Sequence, residues 1–388
     1  MSNEVNVVLK KLVIINPWVG KTGPNTFLCG LFPGLTENGY QVTILYPTLD
    51  DIALELISYG CEIIYLPFLE RENFRNPILK FADRLFTEAR LANRLFSFSP
   101  NSFDCCIINT EIFSLSLSFL PKIPTLIVVH SLSFSYHTVL SKWVIKLQQK
   151  FVSKYLAVSN IVKTELVNIG VTKPIEVVHN GVNESFFDAN LLKPPSAEVF
   201  RILCVLYPVP HKGAHLLVEV LRSLKLYNRE FQCKVIGWHS KPLDKCYAKA
   251  VKNAINEFDL ESNISFHSAT SDIKKELLSC DILLHPSLTE SFGYILAEAM
   301  ATEVPVIAFN TGGIPEIIQN RTSGILIEAY NCMAMANAVV ELMDDTELRL
   351  SLAKNGRKRI LANFNASDKV NQVIKIINSL SSDSQDIK

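Results

Sequence analysis

Short runs of apolar residues alternate with longer amphipathic stretches along most of the 388-residue chain. The short runs are rich in Val, Ile and Leu, which is typical of strands that are buried on both faces of a parallel sheet. The longer stretches have apolar residues at every third or fourth position, as helices that cover a sheet do. This alternation predicts an α/β protein in which helices connect parallel strands.

The strand pattern occurs twice, and each occurrence predicts one doubly wound domain. The first set of predicted strands covers residues 11–16, 41–47, 61–67, 103–110, 125–130, 154–159 and 175–180. The second set covers residues 201–207, 232–238, 263–267, 281–286, 304–310 and 324–328. Ligands of such sheets bind outside the carboxyl ends of the strands, so the chemistry is expected on the loops that follow them.

Two adjacent prolines, Pro194 and Pro195, separate the two sets of strands. They cannot sit inside a helix and they favour an extended link. We therefore predict an N-terminal Rossmann-like domain at 1–190, a linker at 191–199 and a C-terminal domain at 200–365. Residues 366–388 are expected to form a helix and a frayed tail that can return to the N-terminal domain.

Length and composition agree with two well-packed domains, since 388 residues exceed one ordinary core and 48% of them are hydrophobic. The formal net charge is zero, which gives no attraction to nucleic acid. No apolar run reaches about 18 residues, and the first residues lack the order of a signal peptide. The nine cysteines are scattered, without the spacing of metal ligands. We expect a cytoplasmic protein that does not bind nucleic acid.

The most informative segment is 285–300, which follows a predicted strand and continues into strong helix formers. Ser291 is the predicted N-cap of this helix. Unpaired amides at a helix start and the positive end of the helix dipole suit a phosphate, and Phe292 and Gly293 would present such amides. Gly293 also lets a ligand approach the backbone closely.

Glu290 and Glu298 are eight residues apart in this segment. In a continuous helix they would stand about 12 Å apart along the axis and about 80° apart around it. The two carboxylates of a glycosidase lie about 5 to 9.5 Å apart across one bond, so this spacing favours two contacts with an extended ligand. Taken singly, each glutamate has a plainer interpretation, as a partner of the helix dipole or as a solvated helix residue.

Four features occur together around these glutamates: Glu290-x7-Glu298, Ala299-Met300-Ala301, Pro305-Val306-Ile307-Ala308 and Gly312-Gly313-x-x-Glu316. They resemble the retaining GT-B glycosyltransferases of the group 1 type, family 4, in which two Rossmann-like domains face a central cleft. The resemblance implies that Glu290 contacts hydroxyls of the donor sugar and that Glu298 contacts the ribose of the nucleotide. Gly312 and Gly313 suit a loop that approaches the donor sugar.

The resemblance extends over nearly the whole chain. Residues 177–187 are similar to the segment that closes the first domain in the family, with Asn183 in place of the usual Asp. The loop after the first strand, with Gly20 and Gly23, falls where the family has its acceptor-side loop.

Lys212 matches the family's lysine for the donor phosphates, and His130 matches its active-site histidine, with an implied contact to the transferred sugar. With Glu290, these are the implied catalytic residues. Tyr207 departs from the pattern, because family members carry Arg five residues before that lysine. A phenol brings no cation, so either another cation substitutes, with His211 the nearest, or the diphosphate is held more weakly.

These residues predict a hexosyltransferase that moves a sugar from a UDP- or GDP-sugar to a carbohydrate or lipid-linked acceptor, with retention of configuration. The sequence has no Asp-x-Asp pair to hold a divalent cation, so we expect transfer without a metal or another cofactor. Two alternatives stay open: a non-catalytic protein that binds nucleotide sugars, and a nucleotide-sugar epimerase or hydrolase.

Residues 112–164 contain six lysines and no Asp or Glu. Lys142, Lys146, Lys150 and Lys154 are spaced by four, as along one face of a helix, with Trp143 and other apolar residues between them. Such a face can contact an anionic membrane, which would place the protein peripherally at the inner membrane surface. The same spacing also fits the solvated side of an ordinary amphipathic helix.

Overall fold

The computed structural model describes residues 10–69, 77–99, 102–110, 116–119, 123–131, 145–188, 199–238, 244–270 and 272–383. The chain forms two compact units, one of Met1–Gly181 with Ala366–Lys388 and one of Val182–Asn365. Each unit contains a parallel sheet with helices between its strands. The predicted α/β class is confirmed.

The first unit contains the strands β1 (Lys10–Ile15), β2 (Tyr40–Tyr46), β3 (Glu62–Tyr65), β4 (Cys105–Ile108), β5 (Thr125–Val129), β6 (Lys154–Ala157) and β7 (Ile175–Val177). They pair in parallel in the order β3-β2-β1-β4-β5-β6-β7. The direction of winding therefore reverses between β1 and β4, which is the point where doubly wound sheets bind their ligands.

The second unit contains the strands β8 (Phe200–Val205), β9 (Phe231–Ile236), β10 (Ile264–His267), β11 (Ile282–His285), β12 (Val306–Phe309) and β13 (Ile325–Ile327). They pair in parallel in the order β10-β9-β8-β11-β12-β13. This is the same winding as in the first unit, and the reversal lies between β8 and β11. Every predicted strand is present in the structure.

Among its described residues, the first unit includes the helices α1 (Gly23–Glu37), α2 (Asp51–Ser58), α3 (Pro77–Phe96) and α4 (Asn160–Asn168). The second unit has α5 (Ala214–Lys225), α6 (Lys245–Glu257), α7 (Ile273–Leu278), α8 (Tyr294–Ala301), α9 (Ile314–Ile317), α10 (Cys332–Asp344) and α11 (Thr346–Asn363). The last helix, α12 (Ala366–Asp383), belongs to the first unit. Within the described ranges, no helix combines the length and the apolar character that crossing a bilayer requires.

The strands are continuous apolar runs because helices cover both faces of each sheet. Residues 12–15 of β1 are fully buried. Burial contributes about 1.5 to 3 kcal/mol for each aliphatic side chain of this size. The helices bury one side only: in α5, Leu217, Leu221 and Leu224 are buried at helical spacing, whereas Arg222 is exposed.

The division between the units lies before the predicted linker, at Val182. The N–H of Val182 donates to the carbonyl of Phe364 at 2.8 Å, and the guanidinium of Arg357 donates to the carbonyl of Phe187 at 2.7 Å. These hydrogen bonds attach residues 182–187 to the second unit. The sequence pattern had placed these residues in the N-terminal domain. Residues 191–198 of the predicted linker lie outside the described residues.

Helix α12 packs against the first unit. Asn378 Oδ1 accepts hydrogen bonds from Lys10 Nζ and from the hydroxyl of Tyr40, each at 2.7 Å. Gly34 in α1 permits the close approach, because a Cβ there would lie 2.2 Å from Val370 Cγ1. The apolar side of the helix completes the core of this unit with Val373, Ile374, Ile377 and Leu380.

The lysines spaced by four do not share one helix, so that prediction is wrong. Lys154 begins strand β6, because the residues after it pair with β5 and β7, and its Nζ lies 3.3 Å from Glu176 Oε1. Lys122 and Lys142 lie outside the described residues. Contact with an anionic membrane stays a prediction.

Candidate active site

Two loops at the carboxyl ends of neighbouring strands form the candidate site of the second unit. The loop after β8 leads through a 3₁₀ turn at Pro210–Lys212 into α5, and the loop after β11 leads through Glu290 into α8. Because β8 and β11 pair at the reversal of winding, these loops occupy the position where open α/β sheets bind ligands.

Three side chains meet at Glu290. Lys212 Nζ lies 2.6 Å from Glu290 Oε1, and His285 Nε2 lies 3.1 Å from the same oxygen. His285 is buried at the end of β11, and the Glu290 side chain is 14% exposed. A carboxylate that keeps some contact with solvent beside one cation can exchange that partner for a ligand.

Opposing effects set the protonation state of Glu290. Burial raises the pKa of the carboxyl group, but the charge of Lys212 and the hydrogen bond from His285 outweigh burial and hold the pKa below its usual range. Glu290 is therefore ionised at neutral pH. An ionised carboxylate accepts hydrogen bonds only, which suits the hydroxyl groups of a ligand.

Gly312 and Gly313 pack closely against the backbone of the loop that carries Glu290. A Cβ on Gly312 would lie 2.0 Å from the carbonyl oxygen of Glu290, and one on Gly313 would lie 2.3 Å from that of Ser291. The N–H of Gly313 also donates to the Glu290 carbonyl at 2.8 Å. Glycine is thus required at both positions because their backbone packs closely against the loop that carries the carboxylate.

The Lys212 turn is held against the β11 loop in a similar way. Gly213 adopts φ +77°, and a Cβ there would lie 2.0 Å from the carbonyl oxygen of Pro286. The carbonyl of His211 accepts a hydrogen bond from the N–H of Leu288 at 2.8 Å. These backbone contacts fix the ammonium and the carboxylate relative to each other.

The helix after Glu290 begins later than predicted. Its N-cap is Gly293, with φ +99°, and not Ser291, because the left-handed backbone at the glycine turns the chain into α8. The span from Glu290 to Glu298 is therefore not one helix, and the separation of about 12 Å that a continuous helix would give does not apply. Glu298 lies within α8 and is half-buried.

Phe292 is buried just before the helix start, so its ring does not face a ligand. The ring is 3% exposed and packs against Tyr294 and Phe364, with ring centroids 5.4 and 5.8 Å away. Ser291 and Phe292 thus lead the chain from Glu290 to the helix start, where the sequence predicts a phosphate contact.

Tyr207 is exposed in the turn that follows β8, five residues before Lys212. His211 does not replace the cation that Tyr207 lacks, since partial burial and the nearby charge of Lys212 lower its pKa. The imidazole of His211 is therefore neutral at neutral pH. Among the described residues between β8 and α5, Lys212 is the cationic side chain.

His130 lies in the first unit, directly after β5. Its Nε2 is 2.7 Å from Asn109 Oδ1, and its ring meets that of Phe27 edge-on, with centroids 5.3 Å apart. Burial lowers the pKa of His130 from 6.5 to about 3, so the ring is neutral at neutral pH. Gly20 belongs to the neighbouring loop after β1, and Gly23 begins α1.

We expect the stability of the first unit to fall as the pH drops below about 6.5. The folded pKa of His130 is lower than the unfolded one, so the unfolded chain binds a proton between pH 6.5 and about 3 that the folded chain does not. Each pH unit in this window should cost up to about 1.4 kcal/mol. Urea unfolding of wild type and His130→Phe at pH 7 and pH 5 gives the free energy of unfolding of each protein at both pH values. The contribution of His130 is the difference between the two proteins in how steeply this free energy changes with pH. Equal slopes would contradict it.

The two halves of the chain match two glycosyltransferase families. Residues 193–359 match Glycosyl transferases group 1, and residues 22–186 match Glycosyltransferase Family 4. The two matches follow one another along most of the chain and together support a group 1 glycosyltransferase. The site described above in the second unit of this glycosyltransferase falls within the group 1 match.

Curated relatives of this group 1 glycosyltransferase bear related names. An uncharacterised glycosyltransferase of Methanocaldococcus jannaschii is 30% identical over 205 residues, which is 53% of this chain and 54% of the relative. A putative colanic acid biosynthesis glycosyltransferase of Escherichia coli is 25% identical over 250 residues, 61% of this chain and 60% of the relative. The chain thus spans little more than half the length of these two relatives.

The fold is the GT-B fold, with two Rossmann-like units. The crystal structure of the Anabaena protein HepE in complex with UDP and glucose superposes with a TM-score of 0.78 at 18% identity. The superposition covers 95% of this glycosyltransferase and 100% of that chain. At this level of identity the likeness shows the fold.

Three side chains of these sites were not predicted from the sequence: His285 and the buried Asn16 and Asn109. His285 is adjacent to a proline in the segment already singled out, and an imidazole five residues before Glu290 was a usable signal. The asparagines follow directly after strands β1 and β4, at the edge of the sheet where open α/β sheets bind ligands. No group of three or more potential metal ligands occurs among the side chains that the structure describes.

Proposed function

We propose that this chain transfers a sugar from a nucleotide-diphosphate sugar to a carbohydrate or lipid-linked acceptor. The observation that carries the proposal is the cluster of Lys212, His285 and Glu290 at the reversal of strand order, where an ionised carboxylate and a cation lie side by side. A sugar with hydroxyl donors joined to an anionic diphosphate is complementary to this pair. HepE, which has the same fold, was crystallised with UDP and glucose.

In the proposed complex the donor binds between Lys212 and Glu290 and replaces their direct ion pair. Hydroxyls of the sugar donate to Glu290, diphosphate oxygens accept from Lys212, and Glu298 binds the ribose. Charge that develops on the leaving diphosphate is stabilised by Lys212 and by the amides at the start of α8. Tyr207 adds no charge there, so the lysine contributes a larger share of this stabilisation than it would beside an arginine.

The finer features of the proposal are a UDP- or GDP-sugar as donor, a hexosyl group, retention of configuration, and a glycan or lipid-linked acceptor. The family resemblance supports retention, and the name of the Escherichia coli relative supports a polysaccharide acceptor. The first unit would hold the acceptor with the loop around Gly20 and Gly23, and His130 would contact the transferred sugar.

A screen of nucleotide sugars by thermal shift, followed by turnover with and without acceptors, tests this function. A donor at a hundred times its Kd should stabilise the fold by about 2.7 kcal/mol. Release of the nucleotide that depends on the acceptor identifies transfer. Binding without release identifies a non-catalytic module, and release without an acceptor identifies a hydrolase.

Transfer should proceed at its full rate in excess EDTA. Lys212 and the helix amides neutralise the diphosphate in this proposal, and the sequence has no Asp-x-Asp pair for a cation. The measurement compares initial rates with chelator, with added Mg²⁺ and with added Mn²⁺. Loss of activity that either cation reverses would exclude this mechanism.

A further inference from the structure

A chain of buried side-chain amides lies under the loop that follows β1. Asn16 follows β1, Asn25 lies in α1 and Asn109 follows β4, and all three are fully buried. They connect the loop at Trp18–Gly20 to His130, directly after the adjacent strand β5, through consecutive hydrogen bonds. An amide has a donor side and an acceptor side, so such a chain has a direction.

The direction is set at the loop. Asn25 Nδ2 lies 2.8 Å from the carbonyl oxygen of Gly20 and 3.1 Å from that of Trp18. Backbone carbonyls only accept hydrogen bonds, so the nitrogen of Asn25 must face them and its Oδ1 must face the other way. This Oδ1 accepts from Asn16 Nδ2 at 2.8 Å.

The same constraint continues to the histidine. With its nitrogen turned to Asn25, Asn16 presents Oδ1 to Asn109 Nδ2 at 2.9 Å. Asn109 Nδ2 also donates to the carbonyl oxygen of Pro24 at 3.1 Å, which independently fixes the orientation of this amide. Asn109 Oδ1 therefore faces His130 Nε2 at 2.7 Å, and this nitrogen must carry the proton.

The loop is anchored on both sides of this chain. Trp18 Nε1 donates to the backbone carbonyl of Asn109 at 2.8 Å, and the N–H of Gly20 donates to Asp50 Oδ2 at 2.8 Å. The hydroxyl of Tyr46 accepts from Asn25 Nδ2 at 3.2 Å and donates to Asp50 Oδ2 at 3.3 Å, which agrees with the same direction. Hydrogen bonds thus link the loop to the imidazole without interruption.

We propose that Asn109 is a positioning residue that holds His130 in the neutral Nε2–H tautomer, so that Nδ1 accepts a hydrogen bond from a hydroxyl of the bound sugar. The sugar as ligand rests on the proposed function, whereas the tautomer follows from the amide chain alone. Replacement of Asn109 by alanine removes the acceptor that selects this tautomer and interrupts the side-chain amide chain between His130 and Asn16, while the backbone contact with Trp18 remains. The ring then samples both tautomers and orientations that do not match the ligand.

The test uses the full-length protein labelled with ¹⁵N in the histidine rings, in long-range ¹⁵N–¹H correlation spectra near pH 7. His130→Phe assigns the His130 signals by their loss. Wild type should show only the Nε2–H tautomer at His130. Asn109→Ala should show a mixture of tautomers, together with a fall in kcat of about tenfold to a hundredfold, as expected for a misplaced contact group.

Tyr155→Phe is the matched control, since it removes another buried hydrogen bond of the first unit, from the Tyr155 hydroxyl to Gln148 Oε1 at 2.9 Å. It should lower the midpoint of thermal unfolding and leave both the tautomer and kcat unchanged. A purely structural role of Asn109 predicts the same result for Asn109→Ala.

An Nδ1–H tautomer or a charged ring in wild type would overturn the proposal, and this measurement needs no Asn109 variant to fold. An Asn109→Ala protein that keeps the Nε2–H tautomer or its full kcat would overturn the positioning role. If wild type shows the expected tautomer but turns over no nucleotide sugar, the proposed function fails and the tautomer assignment stands.

Discussion

Glu290→Gln should lower kcat for sugar transfer by about a hundredfold to a thousandfold, the range that follows the loss of one preorganised hydrogen bond to a transition state. The substitution keeps the size of the side chain but removes the charge that pairs with Lys212 and accepts from His285. An amide oxygen is a weaker acceptor for sugar hydroxyls, and the amide nitrogen would face two other donors if it turned inward. Binding of the nucleotide should persist, because the diphosphate contacts of Lys212 remain.

The experiment compares kcat with nucleotide affinity, measured by titration of the free nucleoside diphosphate. Glu276→Gln is the matched control, because Lys234 Nζ lies 2.6 Å from Glu276 Oε2, the same ion-pair distance in the same unit, and neither residue belongs to the β8 or β11 loop. This control should keep both kcat and affinity. Glu298→Gln should chiefly weaken the nucleotide. If Glu290→Gln retains wild-type kcat, the assignment of the donor site is wrong.

Gly312→Ala should destabilise the second unit by about 2 to 5 kcal/mol and impair transfer as well. The φ angle of Gly312 is +53°, and the new Cβ would lie 2.0 Å from the carbonyl oxygen of Glu290, a distance that no pair of unbonded atoms tolerates. Relief of this overlap requires the Glu290 backbone to move. The carboxylate moves with it, so a change on a neighbouring loop reaches the ion pair with Lys212.

Gly60→Ala is the control that separates the backbone strain of a positive φ angle from the steric overlap of the added Cβ. Its φ is +86°, but no atom lies within 4 Å of the added Cβ, so only the backbone strain of about 1 to 2 kcal/mol applies. Urea unfolding of both variants and initial rates of transfer measure the difference. Equal losses of stability, or normal transfer by Gly312→Ala, would show that the Glu290 loop tolerates the shift.

The sheets could be predicted from sequence because their strands are apolar on both faces. The predicted strands extended too far at several carboxyl ends: Asn16 and Asn180 are buried polar residues, but β1 ends at Ile15 and β7 at Val177. The extra residues belong to the loops at the ligand-binding edge. Errors of this kind therefore point towards the candidate sites.

The sequence identified Glu290 and Lys212 as candidate site residues, but it did not predict that they contact each other. Lys212 and Glu290 are 78 positions apart, and their contact depends on the pairing of β8 with β11, which periodicity does not specify. The glycine pair illustrates the same limit. Its spacing after Glu298 suggested a loop near the sugar, whereas the packing against the Glu290 carbonyl appears only in three dimensions.

The return of α12 to the first unit makes that unit discontinuous in sequence, with the second unit inserted between residues 181 and 366. During synthesis on the ribosome, the inserted unit has all of its residues before the first unit has its last helix. Until then the face of α1 that receives Val370 and the core that receives Ile377 remain uncovered. The unit that begins first is thus the one that finishes folding last, and its uncovered apolar surface is where a chaperone would bind the nascent chain.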